Sequence, residues 1–331
     1  MIKKGLLVFI TSCCAVVMAE SKQEAKYYSL ATGYYNGLYY YTGTQLSALL
    51  NNAGGLPCGE GGSCGVNGLV LKNYSSTGSM DNLAQLCAGE VDFALVQSNL
   101  VYMAYKGIGP FETKACPQIR AIASLYPELL QIAVHKDSNI HYLTDLKNKK
   151  VAVGAMNSGT FDGMKEILNA AGINSTEIQF SHGSLKASAE AFSHHQVDAF
   201  AFFAGIPTPV FQILDKKAEL KFLSITGNGV ESLLAKSPYY RQAVIDQKIY
   251  SEISTTTPTV SVNALLVTTE KADKAFIYQF TSRLWDINNQ PYWFTKRLLI
   301  DSFQLENSLD GIGIPLHDGA KKYYNEIGKR F

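Results

Sequence analysis

The chain has 331 residues, with 29 Lys+Arg against 28 Asp+Glu and a formal net charge of +1. The few arginines form no basic cluster, and binding to a phosphate backbone needs an electrostatic stripe of that kind, so no nucleic-acid partner is expected. The length exceeds what one hydrophobic core usually supports, which predicts two lobes.

The N-terminus has the composition of an export signal. Lys3 and Lys4 give it a positive start, residues 5–14 form a short apolar stretch, and Ala19 ends a small-residue cleavage site. Residues 1–19 are therefore predicted to be a signal peptide. In an alternative interpretation, residues 10–13 are a lipoprotein box and Cys13 carries a lipid anchor. No later segment reaches the roughly 18 apolar residues of a membrane-spanning helix, so the exported chain is expected to be soluble.

The cysteines beyond the signal are Cys58, Cys64, Cys87 and Cys116. An even number in an oxidising compartment predicts disulfides. Cys58 and Cys64 close a Gly-rich stretch and are the first predicted pair, whereas the pairing of Cys87 with Cys116 is left open. Zinc is the alternative, but the chain has no Cys-x-x-Cys and no nearby His pair, so no metal is expected.

Strand-like and helix-like patterns alternate along the chain. Strands are predicted at 26–32, 69–74 and 93–97, with helices at 38–50 and from Ser79, as N-cap, through Ala88. The same order returns with strands at 151–154, 177–180 and 196–202 and helices at 161–171 and up to Phe192. This alternation predicts an α/β fold with a mostly parallel sheet in each lobe.

Two long extended stretches, 120–135 and 257–267, are predicted to cross between the lobes. Lobe 1 is predicted to comprise residues 20–129 and 259–331, and lobe 2 residues 130–258. Helices at 271–288, 291–303 and 319–328 are predicted to pack back on lobe 1.

Separated motifs in a consistent order carry a family resemblance. They are Gly33–Tyr40, Ser76–Leu83, Ala88–Ser98, Ala104–Phe111, Ser124–Glu128, Asp145–Gly154, Ser158–Thr160, Pro258–Val260 and Gly313–His317. Over essentially its whole mature length the chain resembles the TAXI subgroup of solute receptors from tripartite ATP-independent periplasmic (TRAP) transporters.

The resemblance implies a class II periplasmic-binding-protein fold, with a hinge at the two crossings. It also implies a periplasmic location and delivery of ligand to a TRAP permease. The implied ligand is a small organic acid or acidic amino acid, such as glutamate or 2-oxoglutarate. The sequence departs from the family pattern at Tyr34-Tyr35, where small residues are usual, and in the insertion at 54–68.

Ligands of α/β sheets lie beyond the carboxyl ends of the strands. Two such loops, Thr77-Gly78-Ser79 and Ser158-Gly159-Thr160, lead into helices, one in each predicted lobe. Helix N-termini offer free N–H groups and a partial positive charge, so these loops are predicted to hold a carboxylate together. Ordinary helix capping is the alternative.

Aromatic and polar residues complete the predicted site. Tyr39 or Tyr40, and Tyr126, are predicted to wall the cleft, with core packing as the alternative. Gln97 and Ser98 end a strand and are predicted either to bind ligand or to cap the next helix.

Motifs of catalysis are missing from the sequence, which has no Gly-x-Ser-x-Gly, no His-Glu-x-x-His and no phosphate loop. We therefore expect a monomeric receptor for a small acidic solute, without enzyme activity or cofactor. A surface or adhesion protein, and a small-molecule enzyme on the same fold, are the alternatives.

Overall fold

A computed structural model describes residues 25–35, 37–52, 64–217, 220–251, 253–286 and 303–330. The predicted signal peptide, Cys13 and Cys58 lie outside these residues, and so do residues 291–302 of the predicted helix at 291–303. The predicted Cys58–Cys64 pair lies outside them together with Cys58. Within the described ranges, no helix is long and apolar enough to cross a membrane.

Ten strands and nine α-helices are described in those ranges. The strands are β1 (Lys26–Ala31), β2 (Leu69–Tyr74), β3 (Phe93–Gln97), β4 (Ile119–His135), β5 (Lys150–Ala152), β6 (Gln179–Ser181), β7 (Ala199–Ala204), β8 (Leu220–Phe222), β9 (Arg241–Ile245) and β10 (Thr257–Thr269). The helices are α1 (Leu38–Leu50), α2 (Ser79–Ala88), α3 (Ser98–Lys106), α4 (Gly159–Ala170), α5 (Leu185–Ser193), α6 (Pro209–Lys217), α7 (Asn228–Lys236), α8 (Lys274–Leu284) and α9 (Asp318–Glu326).

The strands form one mixed sheet in the order β2-β1-β3-β10-β4-β7-β5-β6, with β8 beside β4 and β9 beside β10. β1 is parallel to β2 and β3, and β5 is parallel to β6 and β7. Every antiparallel pair involves β4 or β10. The predicted mixed α/β fold is confirmed.

The two long strands change partners along their length. β4 pairs with β10 up to Leu129 and with β7 from Leu129 onward. β10 pairs with β9 up to Ser261, and its later residues pair with β3 and β4. The long strands coincide with the two extended stretches at 120–135 and 257–267, whereas their crossing between two lobes and the lobe boundaries at residues 129 and 259 stay predictions.

The strand order β2-β1-β3 at one end of the sheet is repeated as β6-β5-β7 at the other. An aspartate marks the same position in each set. The carboxylate of Asp92 accepts a hydrogen bond from Ser29 N at 2.8 Å, and that of Asp198 accepts one from Lys150 N at 2.7 Å. Both aspartates therefore tie neighbouring strands together.

Helices α8 and α9 pack against each other and against β3 and β4, whereas their place in lobe 1 stays a prediction. The rings of Phe93 and Phe280 stack with centroids 5.1 Å apart. Tyr324 OH accepts a hydrogen bond from Trp285 Nε1 at 2.9 Å and donates one to Ile122 O at 3.1 Å. This buried bond fixes the C-terminal helices on β4.

A disulfide joins Cys87, in α2, to Cys116, just before β4, across 29 residues of chain. Closing a loop of this length restricts the unfolded chain, so a Cys87→Ser/Cys116→Ala double variant is expected to lose about 3 kcal/mol of unfolding free energy. Urea unfolding followed by circular dichroism measures the loss, and the reduced wild-type protein is the comparison. Equal stability of the oxidised wild type and the variant would contradict the expectation.

Candidate functional site

A cavity of about 60 Å³ lies at the carboxyl ends of the strands. It is bordered by the β1–α1, β2–α2 and β5–α4 loops and by the ends of β3 and β7, with one side chain from β4. Its lining residues are Gly33, Tyr34, Gly37, Leu38, Tyr39, Thr77, Gly78, Ser79, Gln97, Glu128, Ser158, Gly159, Thr160, Phe202, Phe203 and Ala204. The structure thus brings both predicted loops together with Tyr39 and Gln97.

The N-termini of α2 and α4 meet at this cavity. A Cβ atom on Gly78 would lie 3.6 Å from the Cα of Ser158, so the two loops adjoin. Ser158 is the N-cap of α4, and its Oγ accepts a hydrogen bond from Phe161 N at 3.4 Å. First-turn N–H groups from two helices therefore border one small space, an arrangement that favours an anion.

The prediction that Ser79 caps α2 is wrong. The N-cap is Gly78, with φ of 116°, a conformation that residues with a Cβ rarely adopt. Ser79 is the first residue of α2, and its Oγ accepts a hydrogen bond from Gln97 N at 3.1 Å. The Ser79 hydroxyl therefore joins α2 to the end of β3.

The threonine hydroxyls of the two loops are engaged within the fold. Thr77 Oγ1 donates to the carboxylate of Asp81 at 3.1 Å. Thr160 Oγ1 accepts from Phe203 N at 3.1 Å. These hydroxyls hold the loops in place, so backbone N–H groups are the stronger candidates for contact with an anion.

Glu128, which the sequence analysis did not select, is the one acidic residue among the lining residues. It lies on β4, is only 3% exposed, and accepts a hydrogen bond from Tyr39 OH at 3.0 Å. No Lys, Arg or His is found among the described residues that line the cavity. Burial raises the pKa of the Glu128 carboxyl to about 8, although hydrogen bonds from Tyr39 and Gln97 act in the opposite direction.

The position of Glu128 in the sequence carried a signal. It is a charged residue within an otherwise almost entirely buried strand, and buried charges are retained where a partner or a function compensates for their desolvation.

Gln97 presents a buried oxygen at the same place. Its Oε1 has no hydrogen-bond partner among the described residues. A Cβ atom on Gly159 would lie 2.2 Å from this oxygen, so Oε1 points at the first residue of α4. A buried acceptor without a donor costs about 1–3 kcal/mol, which a donor group on a ligand would recover.

Three predicted site residues do not line the cavity. Tyr40 packs its ring against Tyr35, with centroids 5.1 Å apart. Ser98 Oγ accepts a hydrogen bond from Asn263 N at 3.0 Å and so joins α3 to β10. Tyr126 is buried in the core, and its hydroxyl accepts a hydrogen bond from Thr42 at 3.4 Å. For Tyr40 and Tyr126 the alternative of a packing role is the better interpretation, and Ser98 links two elements without capping α3, whose N-cap is Gln97.

Apolar residues outside the predicted site form part of the cavity wall. Leu38 begins α1, and Phe202 and Phe203 lie in β7. Phe203 is buried, and the ring of Phe202 is partly buried. Among the described residues, no cluster of three or more His, Cys, Asp or Glu side chains is placed to hold a metal ion.

A family model described as the NMT1-like family matches residues 30–328. The chain belongs to the NMT1-like family.

Solved structures similar to this NMT1-like chain are distant from it in sequence. The alkanesulfonate-binding protein SsuA from Xanthomonas axonopodis pv. citri, bound to MOPS, is 14% identical with a TM-score of 0.47, covering 81% of this chain and 77% of that one. The ligand-binding component of an ABC-type import system from Staphylococcus aureus, with zinc bound, is 13% identical with a TM-score of 0.48, covering 91% of each chain. A putative L-cystine ABC transporter protein from Listeria monocytogenes is 13% identical with a TM-score of 0.45, covering 85% and 99%.

Proposed function

We propose that this chain is a periplasmic solute-binding protein that captures a small acidic amino acid and delivers it to a membrane transporter. The motif resemblance favours a TRAP-type permease as that transporter. Binding changes no covalent bond of the solute in this proposal, which agrees with the lack of a catalytic motif in the sequence.

The observation that carries the proposal is the meeting of two helix N-termini at one cavity. α2 follows β2 in the first strand set and α4 follows β5 in the second, and their first turns border the same space. A carboxylate placed there accepts backbone N–H bonds from both helices and lies at the positive end of both dipoles. Such a ligand favours the arrangement in which the two loops adjoin, so binding stabilises it.

Glu128 and Gln97 narrow the class of solute. With its raised pKa of about 8, the Glu128 carboxyl is largely protonated at pH 7 in the ligand-free protein, and no Lys, Arg or His among the described lining residues would balance its charge. An ammonium group on the solute supplies that charge: it favours release of the Glu128 proton and donates to both the carboxylate and the unpartnered Gln97 Oε1. We therefore favour an amino acid such as glutamate over a keto acid such as 2-oxoglutarate.

A thermal-shift screen of amino acids and di- and tricarboxylates tests the proposal. A ligand at 100 times its Kd adds about 2.7 kcal/mol to the stability of the native state, which is readily detected. L-Glutamate or a close relative is expected to raise the Tm, and 2-oxoglutarate, which lacks the ammonium group, is expected to raise it less.

Three outcomes would contradict the proposal. If no amino acid and no di- or tricarboxylate raised the Tm, the proposed solute-binding function would be wrong. Turnover of a ligand would indicate an enzyme, and binding of cell-wall or host material alone would favour an adhesion protein.

A further inference from the structure

Tyr34 lies in the turn between β1 and α1, at the position where the sequence departs from the family pattern. Its main-chain oxygen accepts a hydrogen bond from Gly37 N at 2.7 Å, which closes the turn. The side chain lines the cavity and is partly buried, whereas the neighbouring Tyr35 is 71% exposed. Two adjacent tyrosines thus have different environments.

The Tyr34 hydroxyl reaches a loop from the other end of the sheet. It accepts a hydrogen bond from Ala155 N, in the β5–α4 loop, at 2.8 Å. In the sheet, β1 and β5 are separated by β3, β10, β4 and β7. The Tyr34 side chain therefore links the β1–α1 turn to the β5–α4 loop across the cavity.

The β5–α4 loop is shaped to receive this hydroxyl. Gly154 has φ of 74°, and a Cβ atom there would lie 3.6 Å from Tyr34 Oη. Burial raises the pKa of the Tyr34 hydroxyl, while the bond from Ala155 lowers it in part. A neutral phenol held by a backbone N–H is the state expected at physiological pH.

We infer that Tyr34 is the clasp and the size filter of the binding site. Its hydroxyl holds the β5–α4 loop over the bound solute, and its ring takes up space in a cavity of about 60 Å³, which limits how large the solute can be. The inference rests on the proposed function and adds a residue that decides which solutes are accepted.

The clasp has a defined kinetic effect. A ligand leaves only after the loops separate, so loss of one cross-cavity hydrogen bond acts mainly on the dissociation rate. One neutral hydrogen bond corresponds to a change of up to about tenfold in an equilibrium constant.

Affinity measurements on three variants test the inference, with L-glutamate and the bulkier L-tryptophan as probes. Tyr34→Phe keeps the ring, and we expect about tenfold weaker L-glutamate binding through faster dissociation. Tyr34→Ala opens the cavity, and we expect the preference to shift at least tenfold towards L-tryptophan. Tyr35→Phe is the matched control and is expected to bind as the wild type does.

Hydrogen exchange at Ala155 tests the clasp without any ligand. In Tyr34→Phe the Ala155 amide is expected to exchange about tenfold faster than in the wild type, and Tyr35→Phe is expected to leave it unchanged. If Tyr34→Phe left both Ala155 exchange and L-glutamate dissociation unchanged, the role of the hydroxyl as a clasp would be wrong. If Tyr34→Ala left the preference between L-glutamate and L-tryptophan unchanged, the role of the ring as a size filter would be wrong. If the wild type binds no amino acid or organic acid, the proposed function fails, while the exchange result still decides the clasp.

Discussion

Between pH 5 and pH 8 the ligand-free wild-type protein is expected to lose about 3 kcal/mol of unfolding free energy that a Glu128→Gln variant keeps. The pKa of this carboxyl is about 8 in the folded protein, against 4.5 for an ordinary glutamate. Between these values the folded state binds the proton more tightly than the unfolded state does. Stability is therefore present at low pH and is lost as the pH rises towards 8. Gln resembles the protonated acid in shape and does not titrate.

Urea unfolding at half-unit pH steps measures this difference. Glu166 is partly buried and also has a raised pKa, so the wild-type curve contains more than one group, and subtraction of the Glu128→Gln curve isolates Glu128. Glu231→Gln, at an exposed position on α7, is the matched control and is expected to follow the wild type. Parallel curves for the wild type and Glu128→Gln would show that this carboxyl has an ordinary pKa.

The same Glu128→Gln variant discriminates between classes of ligand. Loss of a charge-assisted hydrogen bond to an ammonium group costs about 1.5–3 kcal/mol, so the affinity for L-glutamate is expected to fall about 10- to 100-fold. A ligand that has only carboxylates would lose nothing and would bind the variant as well or better. Titration calorimetry with L-glutamate and 2-oxoglutarate separates these results.

Local signals in the sequence were sufficient for the first strand set. The predicted bounds of α1, β2 and β3 agree with the structure, because period and turn residues point to the same ends there. The sequence analysis gave no elements for α6, α7, β8 and β9. The two strands are short, and each pairs with the end of β4 or β10, so long-range pairing rather than local pattern defines them.

Local sequence patterns also predict one part of the site, whereas long-range contacts define the rest. Its two helix-leading loops were predictable because Gly, Ser and Thr after a strand have a known structural meaning. Glu128 was not selected, because its importance depends on contacts that are far apart in sequence. Its partner Tyr39 is 89 residues away, and the lack of a cation among the described lining residues is a property of the assembled cavity. Tyr126 was selected from the same segment, but the strand turns its ring into the core.

Replacing Gly159 with Ala is expected to weaken L-glutamate binding at least about 100-fold while the fold is retained. Gly159 begins α4 with helical geometry, so alanine suits its backbone. The space is the obstacle, because the added Cβ would lie 2.2 Å from Gln97 Oε1 and 3.0 Å from Ser79 Oγ. Gln97 has to move, and the cavity loses both volume and the oxygen aimed at the helix N-terminus. Overpacking of this kind costs about 1–3 kcal/mol in stability.

Gly183→Ala is the matched control for this change. Gly183 lies in the β6–α5 loop, outside the cavity lining, and an added Cβ would have Ala187 Cβ at 3.4 Å as its nearest neighbour. Its affinity for L-glutamate is expected to equal that of the wild type. Titration calorimetry measures both variants, and thermal unfolding checks that each is folded. If folded Gly159→Ala bound L-glutamate with wild-type affinity, the N-terminus of α4 would have no part in holding the solute, since no ligand could occupy the space that the new methyl group and the displaced Gln97 fill.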